Sequence, residues 1–171
     1  PHSKTPVIVE LFTSQGCSSC PPADRVAEAL VTRDNLYVLS CHVTYWDYIG
    51  WKDTLGSSAC DARQRQYAQA KNTARVYTPQ MLINGTKDVV GSRGEQVIHL
   101  ITQAQKQKTE LISISSNEDN SFKVDLPSLG SNTTYRLRAF LIKKEETTAI
   151  GRGENRNKTV RYVQNAVSYT H

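Results

Sequence analysis

Val7-Ile8-Val9-Glu10-Leu11-Phe12-Thr13-Ser14-Gln15-Gly16-Cys17-Ser18-Ser19-Cys20-Pro21-Pro22-Ala23-Asp24 decides how the rest of the chain is read. Val7 to Phe12 is an apolar run of strand length. Pro21 and Pro22 suit the first turn of a helix, and Asp24 favours its positive start. Val26, Ala27 and Leu30 continue as an apolar stripe toward Arg33. The C-x-x-C therefore falls at a strand-to-helix junction. There two sulfurs lie within reach of one disulfide, and the first is near a helix start that favours a thiolate. The prolines oppose that last effect. They supply no N–H donors, and the residue before a proline avoids the α region. The helix is expected to start at Pro21 or Pro22, with Cys17 in the loop ahead of it and a thiol pKa nearer the free value of ~8.5.

Outward from this stretch, Leu36 to Cys41 reads as a second buried strand, followed by an aromatic loop, Tyr45-Trp46-Asp47-Tyr48-Ile49-Gly50-Trp51. Ser57 or Ser58 caps a helix expected to reach about Asn72. Met81-Leu82-Ile83 is a strand, Asn84-Gly85 a turn signal, and Asp88-Val89-Val90 the returning strand. Ser92-Arg93-Gly94-Glu95 has the form of a capping box ahead of an apolar stripe at Val97, Ile98, Ile101 and Ala104. Residues 6 to 108 thus read β-α-β-α-β-β-α.

After Lys108 the pattern changes. Leu111–Ser115, Phe122–Leu126, Tyr135–Ile142 and Val160–Val163 read as strands, with period-two alternation at Tyr135, Leu137, Ala139 and Leu141. The expectation is two domains, residues 1–108 and a small antiparallel β-sandwich-like module over 109–171.

The 171 residues carry 21 Lys and Arg against 16 Asp and Glu, a net charge of +5 dispersed along the chain. That reads as solvated surface, not as a nucleic-acid groove. No apolar stretch approaches the ~18 residues of a membrane span. The opening Pro1-His2-Ser3 is what a processed or trimmed N-terminus looks like. Four cysteines allow three pairings. Local geometry favours Cys17–Cys20. Cys41 and Cys60 then read either as a second disulfide, suited to an oxidising compartment, or as two buried thiols.

The order β-α-β-α-β-β-α with C-x-x-C at the first junction resembles a thioredoxin-like fold. Val76-Tyr77-Thr78-Pro79-Gln80-Met81 matches the position of its cis-proline, which faces the disulfide, so a cis Thr78–Pro79 bond is expected; only X–Pro bonds adopt cis cheaply. In such proteins a buried acid on the first strand relays a proton to the second cysteine. Glu10 stands near that position, one residue further from Cys17 than the thioredoxin spacing, and reads either as that acid or as a strand carboxylate satisfied by a lysine or by backbone. More closely, the chain resembles DUF1223, a family of uncharacterised exported bacterial proteins placed among thioredoxin-like proteins. The matching stretches are Glu10 to Asp24, His42 to Asp53, Val76 to Met81 and Gly151-Arg152-Gly153-Glu154-Asn155-Arg156. The resemblance implies export, to the bacterial periplasm or beyond.

The chemistry expected from these residues is thiol–disulfide exchange with protein thiols or disulfides as partners. Cys17 attacks as thiolate and Cys20 resolves the mixed disulfide. Thr78 and Pro79 present backbone to the substrate, and Tyr45, Trp46 and Trp51 line an apolar docking surface or else pack under the loop. His42, if its ring approaches, lowers the Cys17 pKa. Two rivals stand beside this reading: a binding module in which Cys17–Cys20 is a permanent staple, and a thiol site for Cu(I) or zinc. Cys17 and Cys20 are half of a zinc ribbon without the other half, and Met81 is the single methionine. No P-loop or G-x-G-x-x-G is present, and no cofactor is expected.

Overall fold

Strand β1 (Val7–Thr13) is flanked on both sides, and its residue alternation assigns the two faces of the molecule. The computed structural model describes residues 5–108, 112–119, 121–126 and 136–170. The remaining elements are α1 (Pro21–Val31), β2 (Leu36–His42), a 3₁₀ turn (Asp47–Ile49), α2 (Ser58–Ala70), β3 (Gln80–Ile83), β4 (Lys87–Val90), α3 (Gly94–Ala104), β5 (Ser113–Ser116), β6 (Phe122–Asp125), β7 (Ala139–Ala149) and β8 (Thr159–Thr170). Among the described residues this is a mixed α/β fold of three helices, a six-stranded sheet ordered β4-β3-β1-β2-β8-β7 and a separate β5-β6 pair. β1, β2 and β8 run parallel; β3, β4 and β7 are antiparallel to their neighbours.

Val7, Val9 and Leu11 pack against Ala23, Ala27 and Leu30 of α1 and Val97, Ile101 and Ala104 of α3. Phe12 points the other way, into a second cluster with Leu39, Cys41, Leu82 and Cys60 of α2. Helices on both faces of a sheet whose central strands are mostly buried is the arrangement that parallel pairing requires.

Local signals mostly act as expected. Ser57 caps α2, its hydroxyl accepting from the Ala59 N–H at 3.3 Å. Asn84 and Gly85 turn the chain between β3 and β4 with φ of 49° and 66°. Two departures are instructive. Ser92 does not cap α3; the helix starts at Gly94 with Arg93 at its N-cap and no side-chain cap bond. Cys20 adopts helical angles (φ −77°, ψ −39°) despite preceding a proline. Its carbonyl accepts from the N–H groups of Ala23 and Asp24, at 2.8 and 3.1 Å, which supplies the first turn that the prolines do not.

The last third of the chain corrects the expected β-sandwich-like module. β5 and β6 pair only with each other, while β7 and β8 extend the main sheet, Asn165 of β8 lying opposite Ser40 of β2. The sheet thus crosses the expected boundary at residue 108. The expected strand over 160–163 is the start of a twelve-residue one whose Gln164-Asn165 interrupts the apolar pattern. Leu137 and Leu141 are exposed, and a register shift at Leu141/Ile142 breaks the expected alternation. Tyr135 and Leu111 lie outside the described residues.

Candidate functional site

After Thr13 the chain leaves the sheet through two tight turns, the Cys17 N–H donating to Ser14 O and the Cys20 N–H to Cys17 O, both at 3.2 Å. This brings Cys17 and Cys20 into a disulfide with Cα atoms 5.4 Å apart. Both are closed off from solvent, at 1% and 0% exposure, beneath exposed Ser18 and Ser19. Cys41 and Cys60 form a second buried disulfide, joining the end of β2 to the first turn of α2.

A polar layer holds the disulfide loop. Gln15 is wholly buried. Its backbone N–H donates to Asp53 Oδ2 (2.8 Å), and its side-chain oxygen accepts from Trp51 Nε1 (2.8 Å) and the Thr54 N–H (3.2 Å). Its amide nitrogen donates to Thr54 and to Thr148 of β7. From the loop between β7 and β8, Asn155 Nδ2 donates to the carbonyls of both Gln15 and Cys17 at 2.8 Å, while its Oδ1 accepts from Lys158. Gly153 (φ 74°) lets that loop pass against Trp51 and the Ile49 carbonyl.

Beneath the loop is a buried titratable cluster. His42 Nδ1 pairs with Asp53 Oδ2 at 2.8 Å, and the Tyr162 ring meets the imidazole edge to face, centroids 4.7 Å apart. Burial works to raise the Asp53 pKa, but hydrogen bonds from His42 and from the N–H groups of Gln15 and Leu55 hold it below its ordinary value. The pairing with Asp53 orients the imidazole and leaves Nε2 with no hydrogen-bond partner among the described residues. Asp24, on the first turn of α1, accepts from the Thr13 hydroxyl at 2.8 Å. Burial pushes its pKa up to about 7, against the lowering charge of nearby His42. Burial likewise raises the Tyr162 pKa, with the charges of Asp24 and Asp53 adding to it.

The residues singled out from sequence fall into three places. Thr78–Pro79 is a cis bond, and the pairing Phe12↔Gln80 sets Pro79 beside Thr13 at the end of β1. The Pro79 carbonyl accepts from the Gly91 N–H. Trp46 donates its indole N–H to Thr78 Oγ1 at 2.7 Å, Tyr45 its hydroxyl to Gln64, and Trp51 its indole N–H to Gln15. All three rings are half-buried; Tyr48, 80% exposed and stacked on Trp46, is the outward-facing aromatic of the loop. Glu10 is placed elsewhere. Like Phe12 it faces α2, where Arg63 binds it through two nitrogens and Tyr67 donates to Oε2 at 2.8 Å. The proton-relay role expected for Glu10 is corrected by strand alternation: its side chain points to the opposite face from α1. Gln15, Asp24, Asp53 and Asn155 were the residues missed. A signal existed for Asp24, which follows Cys20 by four residues, one helical turn.

Among the described residues no group of three or more His, Cys, Asp or Glu side chains is placed to hold a metal ion, and no helix is long and apolar enough to cross a membrane. No curated protein matches the chain. A crystal structure of a protein from Agrobacterium tumefaciens superposes with a TM-score of 0.77 at 27% identity, over 99% of this chain and 73% of that one. Residues 8–171 match the family described as "Protein of unknown function (DUF1223)".

Proposed function

The chain belongs to the DUF1223 family, and we propose that within it Cys17 and Cys20 work as a dithiol–disulfide couple on protein thiols or disulfides. The observation that carries this is position: a C-x-x-C disulfide where β1 turns into α1, with the cis Thr78–Pro79 bond just ahead of β3 at the same end of the sheet. The same features, with the order β4-β3-β1-β2 and helices on both faces, support reading this half as thioredoxin-like. In the forward direction a Cys17 thiolate attacks a partner disulfide and Cys20 resolves it. Thr78 and Pro79 border the approach, and the outer faces of Tyr45 and Trp46, with Tyr48, form its apolar rim; Trp51 supports it from below. The expected division at residue 108 becomes a division of labour: the first part carries the cysteines, and the second supplies Thr148, Asn155 and Tyr162 around them. Two disulfides fit an oxidising compartment, which supports export.

A second reading has its own observation. Cys17 and Cys20 are 1% and 0% exposed, and Asn155 holds the Cys17 carbonyl, which suits a permanent staple. Exchange therefore requires the loop to open. Equilibration with glutathione and dithiothreitol, in wild type and in the Cys41→Ser/Cys60→Ser variant, separates the two. A potential of roughly −120 to −270 mV for Cys17–Cys20 supports the exchange reading, and one below about −300 mV replaces it with the staple.

A further inference from the structure

Two buried atoms behind the disulfide have no hydrogen-bond partner among the described residues: Asp24 Oδ2 and His42 Nε2. Their residues are 3% and 1% exposed. Because Cys20 has helical backbone angles, the i, i+4 spacing stacks the Asp24 carboxyl on the same helix face as the Cys20 side chain, itself 0% exposed. In the closed disulfide that sulfur is away from water, so a buried carboxyl on its own helix face is placed to take its proton. Glu10 faces the other side of the sheet and is held by Arg63. The charged and titratable groups around Asp24 come from several elements: Arg25 on α1, His42 on β2, Asp53 in the loop beyond the 3₁₀ turn and Tyr162 on β8, with the Thr13 hydroxyl from β1.

We infer that Asp24 is the base that takes the proton from Cys20, with His42, oriented by Asp53, receiving it in turn. This rests on the thiol–disulfide reading above. In the reduced protein the Cys17 thiolate attacks one sulfur of a partner's disulfide. The partner's S–S bond breaks, the mixed disulfide forms, and the other partner sulfur leaves as thiolate. The Asp24 carboxylate removes the Cys20 thiol proton. The Cys20 thiolate then attacks Cys17 Sγ, closing Cys17–Cys20, breaking the mixed disulfide and expelling the second partner thiolate. The protein loses two electrons and the partner disulfide gains them. The proton passes from Asp24 to His42 Nε2 and ends on a released thiolate. The Thr13 hydroxyl stabilises the charged carboxyl, so it sets the pH at which the base becomes competent.

A chromogenic aromatic disulfide reads the two steps separately: reduced protein releases one thiolate on attack by Cys17 and a second on resolution by Cys20. The measurement is made by stopped flow across pH 5–9, in full-length chains all carrying Cys41→Ser/Cys60→Ser so that one couple reports. Asp24→Asn is expected to slow the second release by about 100-fold at pH 7, the scale of a lost general base, while the first changes by less than about twofold. Thr13→Val keeps the carboxyl but removes a bond that lowers its pKa, so its second-release profile moves to higher pH; this variant carries the test if Asp24→Asn fails to fold. His42→Gln also displaces the profile. Second-release profiles that superimpose on wild type in Asp24→Asn or in Thr13→Val overturn the assignment while leaving exchange intact. Absence of the first release overturns exchange and, with it, the base.

Discussion

Asp24 and Asp53 lie in one buried cluster, yet their surroundings drive them in opposite directions. Asp53 accepts from an imidazole and two backbone N–H groups, which stabilise its charge; Asp24 accepts from one hydroxyl, which does not offset its desolvation. The consequences for stability have opposite signs. An acid whose folded pKa is raised from 3.8 to about 7 keeps its proton in the folded state while the unfolded chain loses it. Its contribution to stability is therefore greatest below pH 4, falls as pH rises toward 7, and is flat beyond. The full penalty is on the order of 4 kcal/mol if none of it relaxes. Asp53, held low, stabilises above about pH 4 and loses that contribution only in stronger acid. Urea unfolding at pH 5 and pH 8 checks the first statement: Asp24→Asn is expected to be more stable than wild type at pH 8, with the gap narrowing markedly at pH 5. A gap independent of pH would show that Asp24 is charged at both values. At this scale the sequence was partly legible. Glu10 reads as a buried acid on a strand, and it is one. Which face it serves depends on where β1 leaves the sheet and where α2 lands.

The elements that hold the site are loops, and their order in the chain says little about their meeting. Asn155 lies 138 residues from Cys17 and donates to its carbonyl. Truncating it to alanine takes this donor from the buried Gln15 carbonyl and leaves the Cys17 carbonyl with the Cys20 N–H alone, at a cost of about 1–3 kcal/mol. Asn155→Ala is expected to lower the urea midpoint by that amount and to speed reduction of Cys17–Cys20 by dithiothreitol under native conditions. An unchanged reduction rate would mean that other contacts keep the loop closed. The two glycines of the Gly151–Arg156 stretch mark a fixed loop, but not its target. Likewise the apolar pattern of β8 stops at Gln164-Asn165, because Asn165 is buried beside β2 and so carries no amphipathic signal.

Across the whole molecule, the Cys41–Cys60 bridge ties the parallel centre of the sheet to α2, while Cys17–Cys20 closes a loop of three residues' separation. The 19-residue separation of the former makes it the larger constraint on the unfolded chain, worth about 3 kcal/mol by loop entropy. Cys41→Ser/Cys60→Ser is therefore expected to lower the unfolding free energy by that order without changing the secondary-structure spectrum. A loss of folded signal at 25 °C would show that the bridge is required for the second core cluster to form. The sequence by itself determined the strand and helix order through residue 108, the C-x-x-C at the first junction and the turn at Asn84-Gly85, since each depends on neighbours within a few residues, through backbone preference or apolar period. Only the tertiary structure decided that β8 lies against β2, that Asn155 and Gln15 hold the disulfide loop, that Glu10 pairs with Arg63, and that Asp24 and His42 share one buried cluster. Those are contacts between distant segments, set by which face of the sheet each side chain occupies and by how much water is left there.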